Sequence, residues 1–226
     1  VELHHHHNNK TSSNKLLFSI LLNIGITVSQ IIGGFWSGSL ALLSDALHNF
    51  TDVVSLIISY IASVFSKKNA SPQKTFGYKR AEILAAFVNA LSLVVISIIL
   101  IKEAVERFFS LEDIKSNLVI ILSIIAIAGN GFSVWLLKSD STKNMNMKSA
   151  YLHLFTDMLA SVAVLIGGLL MKFYALFWID SLLTLLIALY LIVMSWDLLT
   201  KSYRVLMLFT PHDIDINSLV KQVHNI

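Results

Sequence analysis

The stretch ILAAFVNALSLVVISIILI, residues 83–101, runs for nineteen positions without a charge. A helix rises about 1.5 Å per residue, so a run of this length matches the roughly 30 Å hydrocarbon core of a bilayer. Working outward in both directions, five further runs of similar character appear. The six expected spans are Leu16–Trp36, Leu40–Phe65, Glu82–Phe108, Leu118–Leu137, Ala150–Phe173 and Phe177–Leu199. Composition agrees: of 226 residues, 55% are hydrophobic and 14% charged, against about 25% charged in a soluble domain. Such a chain cannot cover a water-facing surface, and lipid is its solvent. The expected fold is an all-α integral membrane protein, a six-transmembrane-helix bundle. Residues 1–14 read as a polar N-terminal tail and 15–208 as the membrane domain.

The net charge of +3 does not point to nucleic acid, because the cations lie in short loops between apolar runs. Thirteen of the seventeen Lys and Arg fall on one side, in the N-terminal tail, the second and fourth loops and the C-terminal segment. Only Lys102, Arg107, Lys115 and Lys172 fall towards the other. That bias places both termini in the cytoplasm of a multi-pass protein. The chain begins at Val1 with no small-residue cleavage site after its first apolar run, so the first span is expected to be retained rather than removed. The tract His4-His5-His6-His7 reads equally as native metal-buffering sequence or as a purification tag.

A hexapeptide occurs twice. Leu47-His48-Asn49-Phe50-Thr51-Asp52 lies in the second span and Leu152-His153-Leu154-Phe155-Thr156-Asp157 in the fifth. Both read L-H-x-F-T-D. Four residues advance a helix by about 400°, so each span offers an imidazole and a carboxylate on one face, a turn apart. There is no cysteine, so a metal here is held by nitrogen and oxygen. If the two antiparallel spans face each other, His48, Asp52, His153 and Asp157 form an N2O2 set suited to tetrahedral zinc. A carboxylate near the bilayer centre costs about 2.5–3.5 kcal/mol, which marks such residues as functional. A self-satisfied His–Asp hydrogen bond would explain one pair; two identical pairs on separate spans call for a common partner.

Other intramembrane polar residues carry less. Asp45, three residues before His48, is read either as a supporting group or as an alternative ligand. Asn49 and Asn130 either line the same cavity or bridge helices. Glu103 and Glu106 sit beside Lys102 and Arg107 and read as interfacial ion pairs, Asp180 as a cap on the sixth span, and Asp197 as reaching the headgroups. The glycines Gly33-Gly34, Gly129, Gly131 and Gly167-Gly168 read as close-packing points between helices.

Four motifs together resemble one family. Residues Gly38 to Asp52, GSLALLSDALHNFTD, are similar to the second-helix signature of the cation diffusion facilitator transporters, zinc-type branch. Phe76-Gly-Tyr-Lys-Arg-Ala-Glu82 resembles that family's loop into the third helix, Ala150–Asp157 its fifth-helix motif, and Trp178-Ile-Asp180 its opening of the sixth. The resemblance covers residues 15–226. It implies a homodimeric antiporter that exports Zn2+ in exchange for protons, with Cd2+ and Co2+ as further candidates, and with His48, Asp52, His153 and Asp157 as the ligands. The cell (inner) membrane is the expected location. Manganese-type members carry a carboxylate-rich site, which this set does not resemble. The family usually has proline after the aspartate opening the sixth helix, where this chain has Ser181. Members also usually carry a cytoplasmic α/β domain; Thr210–Asp215 resembles its start, which makes 209–226 the beginning of such a domain, with His212 and His224 weak ligand candidates.

Two rival functions remain in view. A passive divalent cation channel would favour weak binding at several sites over one dehydrating tetrahedral site. An intramembrane zinc-dependent hydrolase is the weaker rival. It needs an open coordination position and usually H-E-x-x-H, and the chain contains no His-Glu pair. The expectation is therefore a transporter, not an enzyme.

Overall fold

The computed structural model describes residues 5–66, 81–110, 112–142 and 145–209. The loop into the third span, His4 and the segment 210–226 lie outside the described residues, as do the side chains of residues 5–14 and of Glu82. Six helices follow in order: α1 His5–Ser37, α2 Leu40–Ser66, α3 Ala81–Phe109, α4 Ser116–Ser141, α5 Met145–Tyr174 and α6 Trp178–Leu206. The all-α, six-helix expectation is met. Among the described residues, α1, α3, α4, α5 and α6 each contain a segment long and apolar enough to cross a membrane. Helix α2 is 27 residues long and carries Asp45, His48, Asn49 and Asp52.

The helices outrun the expected spans. α1 continues back to His5, α5 begins at Met145 and α6 runs on to Leu206. These extensions are richer in polar and charged residues than the spans, so a hydropathy reading stops at the hydrocarbon edge while the helix does not.

α1 packs between α2 and α4, α4 packs along α5, and α3 pairs with α6; α2 joins the two groups and meets α5. Small residues set the close approaches. A methyl group on Gly34 would stand 3.2 Å from the Leu43 backbone, and one on Gly129 would collide with Ile26. Gly38 has φ +75°, a conformation that ends α1 and costs glycine no Cβ clash. Its N–H closes on the Gly34 carbonyl at 3.0 Å.

Two apolar clusters bracket the middle of the bundle. Ala41, Leu42, Val119, Val164 and Met171 fill the end away from the termini. Leu137, Met147 and Leu154 fill the end nearer them. Between them lies a polar layer in which Asp45, Asn49, Asn130, Asp157 and Ser161 are all buried. On the outside, large apolar side chains such as Phe35, Trp135 and Val193 are exposed, as a lipid-facing surface requires.

Candidate metal centre

All four residues of the repeated hexapeptide converge. Asp52 lies about 18 Å along α2 from its start, and Asp157 about 18 Å along α5 from its own, at 1.5 Å per residue. The antiparallel helices therefore bring the pairs to one level near mid-span. His48 Nε2 is 3.5 Å from Asp52 Oδ2. The same oxygen is 3.6 Å from His153 Nε2, which is in turn 3.5 Å from Asp157 Oδ2. The two imidazoles meet edge to face, with ring centroids 6.3 Å apart.

Tetrahedral zinc, with bonds of about 2.0–2.1 Å, requires donor-to-donor edges of about 3.3–3.4 Å. The three measured edges lie within a few tenths of an ångström of that. Among the described residues no three His, Asp or Glu side chains are drawn tightly enough to hold an ion as they stand. The site opens on one side: the His153 side chain is 41% exposed and that of Asp157 only 1%.

Buried, unpartnered atoms give the site its chemical character. Asp52 Oδ2, both carboxylate oxygens of Asp157 and His48 Nδ1 form no hydrogen bond within the described protein. Acceptors left so in a low-dielectric interior cost free energy unless a cation or proton joins them. An N2O2 set of this kind can bind a divalent ion, and it can take up protons when the ion is gone.

The surrounding groups sort differently. Gln30 Nε2 donates to Asp45 Oδ2 at 2.8 Å and Ser161 Oγ donates to the same oxygen at 3.3 Å. Asp45 thus ties α1, α2 and α5 together, which suits the supporting role. Gln30 was not legible as its partner, although an amide inside an apolar span is itself a signal. Asp180 corrects an expectation. The N-cap position of α6 is Phe177, with no side-chain cap bond. Asp180 instead caps α2: it accepts from Ser39 Oγ at 2.5 Å, Leu40 N at 2.7 Å and Ala41 N at 3.4 Å. Ser39 Oγ takes the next N–H, that of Leu42, at 3.1 Å, so the orphan donors of the first turn are satisfied. Arg107 pairs with Glu103 at 3.2 Å and donates to the Gly38 carbonyl at 2.6 Å. Lys102 pairs with Glu106 at 3.3 Å, and Asp197 with Lys201 at 2.6 Å.

The cation efflux transmembrane domain matches residues 16–207. The chain belongs to the cation efflux family. It is similar to the cadmium, cobalt and zinc/H(+)-K(+) antiporter of Bacillus subtilis, 37% identical over 210 residues, which is 92% of this chain and 68% of that protein. The zinc transporter ZitB of Yersinia pestis is 38% identical over 92% of this chain and 67% of its own length. The metal cation efflux system protein CzcD of Cupriavidus metallidurans is 37% identical over 87% of this chain and 62% of its own length. Membership accords with a multi-pass membrane protein whose polar residues cluster at mid-bundle.

Proposed function

We propose that this protein exports Zn2+ across a membrane in exchange for protons by alternating access, with His48, Asp52, His153 and Asp157 as the ligands of the transported ion. The observation that carries this reading is the convergence of two imidazoles and two carboxylates, with three His–Asp separations of 3.5–3.6 Å and buried acceptor atoms that nothing among the described residues satisfies. The names of the relatives, which include zinc, cadmium and cobalt as ions and H(+) together with K(+) on the other side of the exchange, support the same substrate class. Cd2+ and Co2+ are accordingly the competing cargoes. Binding needs neutral imidazoles and ionised carboxylates, so metal and protons compete for one set of atoms. Exchange then needs no separate proton route.

The lysine and arginine bias supports cytoplasmic termini, and the cell (inner) membrane is the matching location. A homodimer follows from the family resemblance, as does a cytoplasmic domain starting at 209 behind the 15–208 membrane domain. The site supports a carrier over a channel, because a single dehydrating tetrahedral site releases its ion only when its geometry changes. Four protein ligands also leave no position for a hydrolytic water, which disfavours an enzyme.

The test is calorimetric zinc titration of the purified protein and of His153→Ala. Outer-shell substitutions alone weaken metal sites about 10–100-fold. Loss of a ligand should therefore weaken zinc binding by more than about a hundredfold. Wild-type affinity in His153→Ala would reject the four-ligand site.

A further inference from the structure

Asn49 and Asn130 are two carboxamides of the polar layer, and each is at most 1% exposed. Neither the oxygen nor the nitrogen of either amide has a hydrogen-bond partner among the described residues. Leaving four such atoms unpaired inside a membrane protein is costly, so their position needs a reason.

Packing fixes that position. A methyl on Gly129 would meet Ile26 of α1, and one on Gly131 would meet Met158 Sδ of α5 at 3.4 Å. Successive residues turn by about 100°, so Asn130 points between α1 and α5 into the bundle, opposite the exposed Phe132 and Trp135. The Gln30–Asp45 bond sets the register of antiparallel α1 and α2. Four residues on from it in each helix, Ile26 stands level with Asn49. Ile26 beside Gly129 puts Asn130 at that level, and Met158 beside Gly131 brings Asp157 to it as well. The amides therefore share a layer with the metal ligands.

Donors and acceptors at this layer are complementary. Asp45 already holds Gln30 and Ser161, and Asp180 holds Ser39, Leu40 and Ala41. Asp157 is the buried acid with no donor on either oxygen, and Asn49 and Asn130 are the buried amides with no acceptor.

We propose that Asn49 and Asn130 are specificity-determining residues: once an ion is bound, their unpaired N–H groups take up the Asp157 oxygen that the ion leaves free and so keep that carboxylate monodentate. This rests on the four-ligand reading. A monodentate Asp157 leaves four donors, the number zinc prefers. Releasing its second oxygen allows bidentate binding, which favours a larger ion such as Cd2+ that takes more donors.

The experiment measures Zn2+ and Cd2+ affinities of the full chain in detergent by calorimetry, for the wild type, Asn130→Ala, Asn49→Ala and Asn130→Gln, with thermal unfolding in parallel and His153→Ala as control. Either alanine variant should move the Zn/Cd affinity ratio towards cadmium by about tenfold, equivalent to about 1.4 kcal/mol, and Asn130→Gln should restore part of it. An unchanged ratio in both alanine variants overturns the inference. So does an equal loss of both metals together with a lowered Tm, which would assign the amides to helix packing. His153→Ala separates the two levels. If it binds zinc normally, the four-ligand reading fails; if it does not bind while the amide variants leave the ratio unmoved, only this inference fails.

Discussion

At the scale of single residues, the types of the four proposed ligands bear on both the metal and the proton chemistry. Imidazole suits zinc, whereas carboxylate is harder and accepts manganese and magnesium more readily. Replacing His48 with Asp should therefore broaden the metal range, and competition titrations against Mn2+ would read it; an unchanged zinc preference would mean that geometry alone selects. Unperturbed histidine titrates near pH 6.5 and aspartate near 3.9. Protonated imidazole cannot bind metal, so protons compete with zinc and its affinity should fall as pH drops from about 7.5 to 5.5. Replacing both His48 and His153 with Asp should move that fall to lower pH. Zinc binding flat across this window would remove the histidines as proton carriers. These four residues were legible in the sequence because the i, i+4 spacing is local and the hexapeptide occurs twice. The holding of Asp45 by Gln30 was not, since it depends on how α1 lies against α2.

Among the helices, α2 carries half of the proposed ligand set and is anchored from elsewhere. Its first turn is capped by Asp180 of α6, and the turn before it is held by Arg107 of α3 and by the Lys115 N–H on the Ser37 carbonyl at 2.9 Å. Helix α2 is thus tied at one end to the α3–α6 pair, while α5 lies along α4. Removing the buried carboxylate leaves several donors unpaired. Asp180→Ala should lower stability by about 2–4 kcal/mol, from a lost cap and charge-assisted hydrogen bonds. Asp180→Asn should keep part of it, because the amide oxygen still accepts. Thermal unfolding in detergent checks this, and a Tm equal to wild type in Asp180→Ala would contradict the capping role. The number of helices and their approximate centres followed from apolar run length. Asp180 was misassigned to its own helix because its true partners are about 140 residues earlier in the chain, beyond any local pattern. The helix ends were short by several residues because hydropathy senses lipid, not hydrogen bonding.

Across the whole molecule, the polar layer sits between two apolar clusters, one towards each end of the bundle. Opening either cluster would give the ligands access to that side only, the requirement for alternating access. Because α2 and α5 each carry one His–Asp pair, a relative movement of the two helices changes the donor spacing and hence the hold on the ion. Protons arriving on the outer side can then displace the metal from the same atoms. The most direct measurement is zinc-driven proton movement in liposomes that contain the purified protein and a trapped pH indicator. A zinc gradient should drive protons in the opposite direction, an imposed proton gradient should accelerate zinc flux, and Asp157→Ala should abolish both. Saturable zinc flux with no proton movement, indifferent to an imposed pH gradient, would contradict exchange at a shared site.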